Sequence, residues 1–209
     1  MLSKRADLAI INRSFWPVYP VIGEALLRFA ELHSDKSTVS VVLQDHAGIR
    51  ASLVEHKRGH GVDFYPCKAL SKSSSGIATR IFDAIFFMLW VCFVLVRTRP
   101  VKVYVSTDPP VLVPFVVMLY AKFFRAEYVY HLQDIHPEAT NVVIPINKLV
   151  YALLKKIDVI TMRQASELLT ISDAMAVEIQ RRSSTKAPIN VLPNPAVSFD
   201  EVEFPLIKH

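Results

Sequence analysis

Glycine is scarce in this chain, with five in 209 residues, and that scarcity removes the usual glycine fingerprints for phosphate binding. No G-x-G-x-x-G follows the first apolar run, where Gly23 is the only nearby glycine, so a dinucleotide site of that kind is unsupported. A G-x-x-x-x-G-K-[ST] phosphate loop and a G-x-S-x-G nucleophile elbow are absent too. Cysteine is equally thin. Cys67 and Cys92 lie far apart and fit no ligand spacing, so no disulfide framework follows and a reducing compartment fits best. Cys92, inside an apolar run, reads as a small core residue. Charge is mildly positive, at 24 Lys and Arg against 19 Asp and Glu, a net of +5. These cations are scattered without interleaved aromatics, which argues against a nucleic-acid platform. The N-terminal apolar stretch is too short for a signal peptide.

Two greasy segments fall short of the roughly 20 uninterrupted apolar residues of a membrane span. Asp83 interrupts residues 81–96, and Pro114 and Lys122 interrupt residues 111–124. Both read as helices buried between a sheet and another layer, apolar almost all round. Shallow membrane contact stays open for any face left uncovered.

What the sequence does contain is alternation. Strands are predicted at residues 6–11, 37–43, 62–65, 101–106, 127–132, 167–171 and 189–192. Helices are predicted at 21–33, 76–97, from the TDPP at 107–110 with its prolines in the first turn, where a missing N–H does no harm, at 146–165, and from Ser172 through Arg182. Residues 45–60 are polar and read as loop. Short apolar strands alternating with helices imply a Rossmann-like, doubly wound, mostly parallel α/β sheet of about seven strands. Residues 1–195 then form one domain, and residues 196–209 an extended tail.

In such a sheet, ligands sit beyond the carboxyl ends of the strands. That singles out residues 12–19, 107–110, 133–138 and 172–173. HLQDIHPEA is the sharpest of these segments, with His131, Asp134, His136 and Glu138 at a strand end. Imidazoles and carboxylates there suit general-base work or orientation of a hydroxyl; the alternative is structural, with Asp134 capping a turn and Pro137 fixing the loop. His131 lies within the strand and the others in an irregular loop, so no single metal sphere is enforced, and no metal is assigned. Asn12 lines the same edge. Thr107 and Asp108 either line the cleft or cap the next helix. Ser172 caps its helix, with that helix end facing the cleft. Gly23, at a helix start, either admits a ligand phosphate or permits tight helix–sheet packing.

The run VYVSTDPPVLVPFVVMLYAKFFRAEYVYHLQDIHPEA, then ASELLTISDAMAVEI and INVLPNPA, resembles the N-terminal domain of family 4 retaining glycosyltransferases. The nearest subgroup is the bacterial enzymes of exopolysaccharide and O-antigen synthesis. Its S/T-x-P-P strand end corresponds to residues 106–110, and its D-x-W-P-E-like loop to residues 134–138, where His136 replaces the usual tryptophan. The family's opening loop is usually glycine-rich, and here it is not. The resemblance implies one half of a GT-B fold, with a nucleotide-sugar donor held by a missing C-terminal domain, so that this chain alone is incomplete and inactive. It implies no cofactor and no essential metal. Asp134 is the catalytic candidate. Asn12, Gly23, Thr107, Asp108, His136, Glu138 and Ser172 face a lipid-linked or saccharide acceptor, on a cytoplasmic protein with peripheral contact to the inner face of the membrane. The alternative is a natural half or degenerate domain, serving as a membrane-associated partner or scaffold subunit.

Overall fold

The computed structural model describes residues 5–71, 75–139 and 147–194. Seven parallel strands form one sheet in the order β3-β2-β1-β4-β5-β6-β7. They are β1 (Leu8–Ile11), β2 (Val39–Asp45), β3 (Val62–Lys68), β4 (Lys102–Ser106), β5 (Glu127–Leu132), β6 (Glu167–Thr170) and β7 (Ile189–Val191). The helices are α1 (Ile22–Ser34), α2 (Ile49–Glu55), α3 (Ile77–Thr98), α4 (Leu112–Phe124), α5 (Lys148–Gln164) and α6 (Asp173–Ser183). The central strands are continuous apolar runs because both their faces are covered: β1 is buried throughout, and β2 up to its last residue. The chain crosses at β1, running outward to β3 on one side and to β7 on the other.

The core divides by face. Phe87, Val91, Val117, Tyr130, Met162 and Ile179 belong to the cluster under α3, α4, α5 and α6. Leu26, Leu27, Ile10, Val41, Ile49 and Leu53 belong to the cluster under α1 and α2.

Three expectations need correction. Residues 45–60 are not all loop. Asp45 Oδ1 accepts from the N–H groups of Gly48 (2.7 Å) and Ile49 (3.0 Å), Gly48 takes a left-handed φ of 75°, and Ile49 and Leu53 are buried one turn apart, so α2 forms. Second, the prolines of TDPP precede α4 rather than occupy its first turn; the helix begins at Leu112, and only Pro114 lies inside. Third, α3 is not enclosed between two layers. Its buried residues, Asp83, Phe87, Val91, Val94, Leu95 and Thr98, fall on one side, and its other apolar side is uncovered by any described residue. The boundary at residue 195 and the tail at 196–209 lie outside the described residues.

Candidate functional site

The carboxyl ends of β1, β4 and β5 lie side by side, with Ile11 level with Val105 and Ser106 level with His131. The loops leaving them are laced together. Arg13 N–H donates to the Asp108 carbonyl at 2.9 Å, and its guanidinium Nε reaches Asp108 Oδ1 at 3.0 Å. Ser14 N–H donates to Asp108 Oδ2 at 2.9 Å. Asn12, fully buried, accepts from the Ser106 hydroxyl and donates to the Ser14 carbonyl. Thr107 N–H donates to the His131 carbonyl at 3.1 Å, and Thr107 Oγ1 accepts from Gln133 N–H at 3.2 Å. Asn12, Thr107 and Asp108 thus hold three strand-end loops in one frame. Neither Thr107 nor Asp108 caps α4, which has no side-chain cap. Pro109 and Pro110 put the first helical N–H groups out of reach of Asp108, and its carboxylate turns instead to the donors of the β1 loop.

Gly23 has a steric role. A Cβ there would overlap the Trp16 backbone nitrogen and stand 2.6 Å from the Phe15 carbonyl carbon. The β1 loop folds back onto the start of α1 and leaves no room for a side chain there. Ser172 caps α6, accepting from Met175 N–H at 3.3 Å.

The loop after β5 is held from the other side by Arg182, whose side chain is 3% exposed. Its guanidinium donates to Glu138 Oε2 and to the His136 carbonyl, each at 2.5 Å, and lies 3.2 Å from Asp158 Oδ2. Lys155 pairs with the other Glu138 oxygen at 3.0 Å. Burial disfavours charge on Glu138, but Lys155 and Arg182 overcome it and hold the carboxyl down at about 2. Asp158 is nearly sealed from water and is pushed up to about 6 by burial, against the pull of Arg182 and of the Tyr130 hydroxyl that donates to it. Burial also lowers His136, against the opposing pull of Asp134 and Glu138, so its imidazole is neutral at neutral pH.

Asp134 differs from all of these. Its side chain is exposed, and it has no hydrogen bond or ion pair to a described residue. The structure therefore brings Asp134, His136 and Glu138 to one edge, with Glu138 committed to the scaffold and Asp134 open to solvent. His131 is separated from them. It faces the α1 side of the sheet, where its Nδ1 meets the Tyr104 hydroxyl at 2.5 Å. Among the described residues, no group of three or more His, Cys, Asp and Glu could hold a metal ion.

Arg182 and Lys155 escaped the sequence reading, and Arg13 fell within the strand-end segment 12–19 without a role of its own. Arg182 sits in QRRSS, which looks like a solvated helix end, and its partner Glu138 is 44 residues away. No local signal marks that pairing, because Glu138, its side chain 36% exposed, passes in the sequence for a solvated carboxylate.

No protein-family model and no curated protein sequence matches the chain. Solved structures do. HepE from Anabaena in complex with UDP-glucose aligns with a TM-score of 0.55 at 14% identity, over 92% of this chain and 44% of that one. UGT89C1 from Arabidopsis thaliana complexed with UDP-L-rhamnose gives 0.54 at 12% identity, over 95% and 51%. UGT2 from Phytolacca americana, complexed with UDP-2fluoro-glucose and pterostilbene, gives 0.53 at 9% identity, over 94% and 56%. The chain thus spans about half the length of these GT-B proteins. Its single parallel sheet, strand order and flanking helices are one Rossmann-like half of the GT-B fold.

Proposed function

We propose that the chain is the acceptor-side half of a retaining glycosyltransferase. The reaction moves a sugar from a nucleotide-sugar to a polyprenyl-linked acceptor, in surface-polysaccharide synthesis on the cytoplasmic side of the membrane. One observation carries this reading: an exposed carboxylate, Asp134, stands beside the Arg182-held loop at the strand-end edge of a fold shared with proteins that bind UDP-sugars. The sugar's anomeric carbon loses its bond to the diphosphate oxygen and gains one to the acceptor oxygen, with configuration retained. Asp134 orients the acceptor hydroxyl and takes its proton, and neutral His136 lies two residues away on the same loop. The Arg182 clamp keeps that loop in place, so the acceptor oxygen meets a preorganised site. Binding of the donor diphosphate falls to a second domain, whose helix ends and cations stabilise the leaving group without an essential metal.

The test is transfer of radiolabelled sugar from nucleotide-sugars to membrane-extracted lipid acceptor. It uses the full polypeptide, supplemented with the donor-domain polypeptide if that is encoded separately. Asp134→Ala should lower turnover by a factor on the order of 10² or more at unchanged thermal stability. Turnover within a few fold of wild type removes Asp134 from the chemistry. No transfer by wild type with any donor favours the scaffold reading.

A further inference from the structure

The outer face of α3 has no place in the strand-end site. On the side turned away from Phe87 and Val91, it exposes Ile81, Phe82, Ile85, Leu89, Phe93 and Val96, each at least 40% accessible. No charged residue interrupts these six. On the neighbouring α4, which packs beside α3, Leu119 and Phe123 are exposed as well, the latter at 85%. A contiguous apolar surface of this extent marks an interaction site in a folded protein.

Its charge pattern indicates the partner. The carboxylates on α3, α4 and α5 are Asp83 and Asp158, and both are buried at 1% exposure. Arg97, Lys122, Lys148 and Lys156 on the same three helices are exposed. Three adjoining helices that expose apolar side chains and cations but no carboxylate match an anionic lipid surface.

The helix has 22 residues and a mean hydropathy of 2.1 over its most apolar stretch, enough by length and composition to cross a bilayer. Its inner stripe forbids that. Asp83 accepts from Gln44 Nε2 at 2.7 Å, from Leu70 N–H at 3.0 Å and from the Ser71 hydroxyl at 2.6 Å, and Phe87, Val91 and Val94 lie in the sheet's core. A crossing would strip all of these contacts.

We infer that the α3 face is a membrane-docking surface that lies in the interface of an anionic bilayer with the sheet above it. An apolar groove of about 320 Å³ opens between α3, the start of α4 and α5, lined by Ile81, Ile85, Leu112, Leu154 and the strand-end prolines Pro110 and Pro137. It joins this face to the edge that carries Asp134, so docking brings the edge to the lipid surface. The docking geometry stands on its own, and only its purpose rests on the proposed lipid-linked acceptor.

The test uses sedimentation of the full chain with vesicles that contain neither acceptor nor nucleotide-sugar. With phosphatidylcholine and phosphatidylglycerol at three to one, most of the protein should pellet, and much less with phosphatidylcholine alone. The triple substitution Phe82→Glu, Leu89→Glu, Phe93→Glu places charge only on outward positions. It should lower vesicle partitioning at least tenfold with an unchanged circular dichroism spectrum and melting midpoint. Asp134→Ala should pellet like wild type, which separates failure of docking from failure of the transfer reading. The inference is overturned if wild type stays in the supernatant with anionic vesicles, or if the well-folded triple variant pellets equally. It is overturned equally by a wild-type dimer that the triple variant dissociates while neither form binds vesicles.

Discussion

The molecule leaves two apolar surfaces uncovered by described residues, and they differ in shape and in polarity. One is the outer stripe of α3, a convex ridge of side chains without a buried polar atom. The other is a concave groove of about 540 Å³ on the opposite face of the sheet, where α1 ends its cover and Tyr104, Val129, His131 and Leu169 line the floor. That groove contains an unsatisfied polar atom: His131 Nε2 is buried and has no partner among the described residues. A ridge without polar atoms accepts any apolar medium. The floor of the groove instead carries the desolvation cost of a ring nitrogen that no described residue partners. Two apolar surfaces of one molecule thus differ in the polar atoms that lie beneath them.

The largest effect expected from this contrast lies within α3. Phe87, fully buried, and Phe82, 61% exposed, are five residues apart on one helix. Phe87→Ala should cost about 3–5 kcal/mol in urea unfolding, as a large-to-small change in a packed core. Phe82→Ala should stay within about 0.5 kcal/mol. A comparable loss at Phe82 would mean that the ridge is covered in solution, and the contrast between ridge and groove would collapse.

Much of this was legible in the sequence, for identifiable reasons. The strand count and parallel order follow from continuous β-branched runs such as VSVVL separated by helical stretches, a pattern that needs only local information. The cap at Ser172 is likewise local. α2 was hidden because its signal is one turn long: Asp45 capping, Gly48 in a left-handed conformation, then Ile49 and Leu53. α3 misled because hydropathy reports composition and not cover. The sequence cannot show that the layer outside a helix is absent. At the site, strand-end placement located Asp134 and His136, but their support comes from Arg182 and from the Asp108–Arg13 pair, at separations of 44 to 95 residues. Such pairings exist only once the sheet has brought the loops together.

A smaller loss than that at Phe87 is expected from the polar atom that sets the groove apart. Burial lowers His131 from 6.5 to about 4, so the fold keeps its imidazole neutral while the unfolded chain takes up a proton near 6.5. A depressed folded value means that the stabilisation is fully present above pH 6.5 and is lost as pH falls toward 4. Linkage puts the loss between pH 7.5 and pH 5 at about 2 kcal/mol. Asp158 acts with the opposite sign, since its folded value is raised to about 6, and its contribution is present below 3.8 and lost as pH rises through 6. A wild-type profile alone therefore mixes the two groups. The difference between wild type and His131→Gln cancels Asp158 and isolates the imidazole, because Asp158 lies under the other face of the sheet. Urea unfolding at half-unit steps from pH 7.5 to pH 5 should show wild-type stability falling relative to the variant by about that amount. Parallel profiles would show that the ring nitrogen is already solvated or partnered, and the polar contrast between groove and ridge would vanish.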